Sequence, residues 1–155
     1  GYIPQTPWAG RYLMQRYASF LPEEIVERLQ RMAEVPLAVQ LDMRTESITE
    51  DGEVTVTMFA GDKLNAVGSA HGGAVFSLAD QAFALASNLG AEPQVALCAS
   101  INYLRPGKGH LKAVARRTFE SRNTSLYEVR VFEEDALIAI FQGTGYKLGR
   151  KRPEQ

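Results

Sequence analysis

A carboxylate set in an apolar helix is the group in this chain best placed to do chemistry. Ten of the 13 residues from Ala74 to Ala86 are apolar, and Asp80 stands among them with Ser77 and Gln81 as its only polar company. A carboxylate is almost never buried without a partner or a purpose. Asp80 therefore either caps or pairs with a neighbour, or works as an acid, base or nucleophile. The same helix begins at His71-Gly72-Gly73. A helix start gathers unpaired backbone N–H groups at the positive end of the dipole, and such a place can hold a developing oxyanion. The two glycines let a ligand approach the backbone, or simply make a tight turn.

Spacing constrains how the two groups can work together. Gly72 and Asp80 are eight residues apart, or ~12 Å along a helix rising ~1.5 Å per residue. Reacting atoms must come within ~3–3.5 Å. If both act on one carbonyl, Gly72 of one subunit must meet Asp80 of another, so the spacing predicts an active site shared across a dimer.

The elements that position these residues follow from hydrophobic period. Residues 1–20 mix Pro4, Pro7, Trp8 and three tyrosines without clear period, whereas 22–35 place Ile25, Leu29 and Met32 at helical spacing behind Pro22, Glu23 and Glu24. This predicts an N-terminal helical arm over residues 1–36. From Leu37 the period becomes two: Leu37, Val39, Leu41 and Met43 share a face, as do Val54, Val56 and Met58 after the EDG turn at 50–52, which predicts a hairpin. The apolar helix from His71, too short to cross a bilayer, is expected to be central and to end at Gly90. Four further strands are expected near 94–104, 110–119, 125–132 and 136–147, divided by RPGKG, SRN and EED. The fold class is α+β, an antiparallel sheet around a long central helix, with a domain over 37–149 and a tail at 150–155.

Composition excludes several classes. At 155 residues, 45% hydrophobic and 23% charged, the chain is expected to be one globular domain. A net charge of −1 gives no global attraction to nucleic acid or anionic membrane. The single Cys98 allows no intrachain disulfide, and no Cys/His cluster is spaced for a metal, so a cytoplasmic protein without metal or redox cofactor is expected. No window resembles a membrane span or a signal sequence. The chain starts at Gly1, so a trimmed or replaced start is expected.

Asn65, His71-Gly72-Gly73, Phe76, Leu78-Ala79-Asp80, Ala82-Phe83-Ala84, Ala86 and Asn88 resemble the signature of the PaaI-type hotdog-fold acyl-CoA thioesterases. The similarity covers about residues 37–147 and continues in INYLRPGKG (101–109), SRNTSLYEVRV (121–131) and FQGTGY (141–146). The resemblance implies a hotdog fold that hydrolyses an acyl-CoA thioester. In it Asp80 attacks the thioester or activates water, the Gly72 N–H polarises the carbonyl, and Asn65 and His71 shape the site. It also implies a homodimer with shared sites, assembled as a dimer of dimers, a homotetramer. Some members place a hydroxyl on the strand after the helix to position water, and Ser100 is the one available in QVALCASINYL.

Each of these residues has a purely structural alternative. Asn65 can serve only to hold its loop and His71 only to cap the helix, while Cys98 in an apolar strand is expected to behave as a small hydrophobe. Charge is uneven. Residues 105–122 hold Arg105, Lys108, Lys112, Arg116, Arg117 and Arg122 against Glu120 alone, leaving the rest of the chain at −6. Arg116, Arg117 and Arg122, with Gly73 at the helix start, are the expected contacts for coenzyme A, since arginine pairs with phosphate in bidentate fashion; the alternative is a solvated face. Phe76, Phe83, Tyr103 and the arm are expected to line an acyl pocket for an aryl-acetyl or medium aliphatic chain. Two other classes of function stand beside hydrolysis: a non-catalytic acyl-CoA binding or sensing module, and a hydratase, which would need His and carboxylate set for proton transfer at a β-carbon.

Overall fold

The computed structural model of the protein describes residues 19–149; the expectations for residues 1–18 and 150–155 lie outside them. Three helices and six strands follow in the order α1 (Glu23–Ala33), α2 (Pro36–Gln40), β1 (Arg44–Ile48), β2 (Val54–Phe59), α3 (Gly72–Ala86), β3 (Gln94–Tyr103), β4 (His110–Glu120), β5 (Thr124–Glu133) and β6 (Ala136–Lys147). The strands form one antiparallel sheet in the order β1-β2-β4-β5-β6-β3, and α3 packs against it. This is the α+β hotdog architecture.

The core is built where the alternating faces of the strands meet α3. Val54, Val56 and Met58 of β2, Leu111, Ala113 and Ala115 of β4, Val129 and Val131 of β5, and Phe141 of β6 bury against Leu78, Ala79, Ala82 and Leu85 of α3. Alanines at 79 and 82 let the helix lie close to the sheet. α1 buries Ile25 and Leu29, and Gln81 Nε2 on α3 donates to the Met32 carbonyl at 2.8 Å, which fastens α1 to the central helix.

Three expectations change. Residues 37–43 are not the first hairpin strand: Pro36 starts the short helix α2, where a missing N–H costs nothing. Leu37 and Val39 are exposed and only Ala38 of that helix is buried, whereas Leu41 and Met43 pack on the core, so the apparent period of two does not mark one buried strand face. The hairpin begins instead at Arg44 and turns through Gly52, whose φ of +87° suits glycine. The central helix ends at Ala86, four residues before Gly90. The buried Asn88 stops it, donating from Nδ2 to the Ala84 carbonyl at 2.9 Å and accepting at Oδ1 from the N–H of Gln94 at 2.9 Å. Finally, α3 is not enclosed on every side: Gly73 is exposed and Ser77, Asp80 and Ala84 half-buried, a stripe at helical spacing.

Phe83, expected in an acyl pocket, is a core residue. It is 2% exposed and meets the rings of Tyr127 and Phe141 at centroid distances of 5.6 and 5.8 Å. Its ring lies over Gly143 of β6, where an added Cβ would come within 2.9 Å of it. Gly143→Ala is therefore expected to destabilise the protein by about 1–3 kcal/mol through overpacking, read as a lower denaturation midpoint with unchanged secondary structure.

Candidate active site

The start of α3 uses nearly all its backbone donors internally. His71 is the N-cap, and its Nδ1 accepts from the Gly73 N–H at 2.9 Å. The Ala74 and Val75 N–H groups donate to the His71 carbonyl at 2.9 and 3.1 Å, and the His71 N–H donates to Lys63 O at 2.8 Å. The Gly72 N–H alone in this turn has no partner among the described residues. It is an unspent donor at the positive end of a 15-residue helix.

Gly72 opens onto a pocket of about 430 Å³ whose walls include Asn65, Tyr103, Leu104 and Arg105. Asn65 shapes it from the loop before the helix. Its Oδ1 accepts from the N–H groups of Val67 and Ser69, both at 3.0 Å, while its own N–H donates to Ser69 O at 2.7 Å. The side-chain oxygen thus holds the loop, and the side-chain Nδ2 of Asn65 has no partner among the described residues. The structural alternatives, His71 as cap and Asn65 as loop holder, both hold in the structure, and both residues border the unspent donor. Tyr103, considered in the sequence only as a pocket wall, donates from its hydroxyl to the Gly72 carbonyl at 2.8 Å. That contact spans 31 positions and leaves no local signal.

Asp80 is eight residues along the same uninterrupted helix and does not line this pocket. It makes no hydrogen bond or ion pair with any described residue, so neither capping nor pairing accounts for it among them. Burial without compensation pushes its carboxyl above the ordinary carboxylate range.

The other candidates are dispersed. Ser100 and Cys98 are exposed on β3, so Cys98 is not the buried hydrophobe expected. β3 carries a bulge between Ala96 and Cys98, which breaks the alternation expected to join Ala96, Cys98 and Ser100. Arg116 pairs with Glu53, and Arg117 with Glu120 at 3.0 Å. Both border a second pocket, of about 540 Å³, near Ser87 at the other end of α3. Arg122 has no acidic partner among the described residues. No group of three or more His, Cys, Asp or Glu that could hold a metal occurs among the described residues, and no helix among them is long and apolar enough to cross a membrane.

A family model described as the thioesterase superfamily matches residues 67–140, the span from the loop below Gly72 to β6. The chain is 35% identical over 104 residues to the acyl-coenzyme A thioesterase PaaI of Escherichia coli (strain K12), covering 64% of this chain and 74% of that protein. The chain belongs to the PaaI-type hotdog-fold acyl-CoA thioesterase family. Among solved structures of this PaaI type, a mutant of the phenylacetic acid degradation protein PaaI from Thermus thermophilus superposes with a TM-score of 0.69 at 38% identity, covering 73% of this chain and 99% of that one. The E. coli PaaI protein from the phenylacetic acid degradation operon superposes with a TM-score of 0.72 at 30% identity, covering 83% and 96%.

In this PaaI-type chain the raised Asp80 pKa has a definite sign in stability. A carboxyl whose folded pKa lies above its unfolded value favours the fold while protonated, and that advantage is lost as pH rises through the folded value. Asp80→Asn is therefore expected to raise the melting temperature at pH 7. The gap between variant and wild type should close as pH falls toward the ordinary value of 3.8, and a pair of melting curves taken at pH 7 and pH 4 measures it.

Proposed function

We propose that this chain hydrolyses the thioester of an acyl-coenzyme A to a carboxylic acid and free coenzyme A, with aryl-acetyl or medium-chain aliphatic acyl groups as substrates. The observation that carries this reading is the unpartnered, half-buried carboxylate of Asp80 on the helix whose first N–H, that of Gly72, is unspent. In the reaction the Gly72 N–H polarises the thioester carbonyl, and the carboxylate of Asp80 does one of two things. As a base it takes a proton from water, whose oxygen bonds to the carbonyl carbon as the C–S bond breaks and the thiolate leaves to be protonated. As a nucleophile it forms an acyl anhydride with loss of the thiolate, and water then cleaves the anhydride. His71 holds the turn, Asn65 shapes the pocket, and Ser100 supplies a hydroxyl for water on β3. Gly73 contributes room: a Cβ there would stand 3.1 Å from His71 Nδ1. The names of the relatives, which refer to phenylacetic acid degradation, support the aryl-acetyl class.

The site is assembled from two subunits. The ~12 Å between Gly72 and Asp80 supports this, and so does β3. It is the edge strand beside β6, with no strand on its other side among the described residues, and it exposes Val95 and Leu97. Such an edge is a template for a second copy. The exposed Val35, Leu37 and Val39 provide a further apolar patch in keeping with a tetramer. In this reading residues 37–149 are the thioesterase domain, 1–36 an arm that packs on it through α1, and 150–155 a tail; the location is cytoplasmic. The nucleotide phosphates of coenzyme A meet the basic stretch, and Arg122, whose guanidinium is engaged by no carboxylate among the described residues, contributes more than Arg116 or Arg117.

Three measurements test this. Asp80→Asn is expected to lower kcat by at least ~10²-fold, the lower end for an acid–base group, while substrate still binds; full turnover by the variant overturns hydrolysis by Asp80 and favours a binding module. Gly72 is the first helical residue, where proline is tolerated by the backbone, so Gly72→Pro removes the N–H, and it also sets a Cβ 3.1 Å from the Tyr103 hydroxyl oxygen. Mixing Gly72→Pro chains with Asp80→Asn chains by refolding is expected to regain activity in mixed dimers; mixtures no better than their parents mean that the site is not shared or that proline damages the helix start, and the melting temperature of Gly72→Pro separates the two. Arg122→Gln is expected to raise KM for acyl-CoA but not for an acyl-pantetheine that lacks the nucleotide phosphates. Equal effects on both substrates assign Arg122 to the solvated face.

A further inference from the structure

The unspent Gly72 N–H belongs to a turn made of two successive glycines, which have no Cβ to limit φ and ψ. A donor of that kind is useful only if something else fixes its direction. Both peptide planes that flank the Gly72 Cα are in fact held. The His71–Gly72 peptide is held at its carbonyl, which accepts from the Ala74 and Val75 N–H groups. The Gly72–Gly73 peptide is held at both ends: its N–H donates to His71 Nδ1 at 2.9 Å and its carbonyl accepts from the Tyr103 hydroxyl at 2.8 Å.

The second of these holds comes from the sheet and not from the helix. Tyr103 is the last residue of β3 and pairs with Ala139 of β6, so the hydroxyl is anchored in a ladder distant in sequence from the turn. The fit is close as well. A Cβ on Gly72 would stand 3.1 Å from the Tyr103 hydroxyl oxygen and 3.2 Å from Cζ. Tyr103, Gly72 and Asn65 border one pocket, so the clamp lies at the wall where the donor emerges.

We propose that Tyr103 is a positioning residue for the thioesterase reaction: its hydroxyl pins the Gly72 carbonyl to the sheet and thereby aims the unspent Gly72 N–H into the pocket. The proposal rests on the reading of Gly72 as the donor that polarises the thioester. Tyr103 does not itself take that part, because a phenol has one proton to donate and this one is engaged by the Gly72 carbonyl.

The test compares wild type with Tyr103→Phe, which keeps the ring and removes only the hydroxyl. Two substrates are used, an aryl-acetyl-CoA and hexanoyl-CoA, and exchange of the Gly73 amide proton is followed by NMR in the unliganded protein. Loss of an oxyanion donor costs ~10²–10³-fold, and loosening one is expected to cost less: kcat falls about 10-fold for both substrates, KM stays within about twofold, and the Gly73 amide, otherwise protected by His71, exchanges faster. An unchanged kcat, a loss confined to KM, or a loss confined to one acyl class overturns the proposal and makes Tyr103 a wall of the acyl pocket. If wild type cleaves neither thioester, the hydrolase reading fails on that measurement alone. The clamp is then decided by exchange: faster exchange in Tyr103→Phe upholds it, and unchanged exchange overturns it.

Discussion

Every feature of the site depends on a single helix being held by a sheet on one side while a polar stripe is left on the other. Leu78 and Leu85 are fully buried in α3 and share one core with the valines of β2 and β5 and with Leu111 and Ala113 of β4. Each buried aliphatic side chain of this kind is worth about 1.5–3 kcal/mol. That sum fixes the rotation of α3, so Ser77, Asp80 and Ala84 have no choice but to lie on the opposite stripe. Asp80 is partly desolvated because the helix cannot turn to release it.

The two ends of this helix are treated unequally. At the C-terminus the carbonyl groups are well supplied. Asn88 reaches back to Ala84, and Arg28 of α1 donates to the Gly90 carbonyl at 2.8 Å and more weakly to those of Asn88 and Ala91. A guanidinium at the negative end of the dipole is favourable. At the N-terminus one donor is withheld from the protein's own bonds. The helix is thus closed by the protein's own groups at one end and open at Gly72, and α1 takes part in that difference by carrying Arg28.

Much of this is legible in the sequence because it is local. The apolar run around Asp80, the glycine pair after His71 and the alternation of β4, β5 and β6 depend on neighbours in the chain, and the structure keeps all three. Sequence and structure part where tertiary contacts decide. LAVQLDM alternates like a strand, yet Pro36 and the lack of a sheet neighbour make its first residues helical. Phe83 carries the same apolar label as a pocket residue, and only the position of β6 shows that it is core. Cys98 departs from its expected burial because an edge strand has the composition of a central one. The basic stretch is legible as charge, but its ion pairs join Arg116 to a residue 63 positions away, and no local pattern announces such a partner.

The contact between Phe83 and Gly143 also bears on how this chain can change over evolutionary time. Neither residue touches the pocket at Gly72, and the backbone of β6 at Gly143 would accept any L-residue. What forbids one is the ring above it. A methyl gained at 143 meets an aromatic side chain that has nowhere to go, while a ring lost at 83 leaves a void over bare backbone. Each single step is a descent in stability, and the two together conserve volume. The two positions are therefore free to drift only as a pair, so that a helix residue and a strand residue 60 positions apart in the sequence share one evolutionary history.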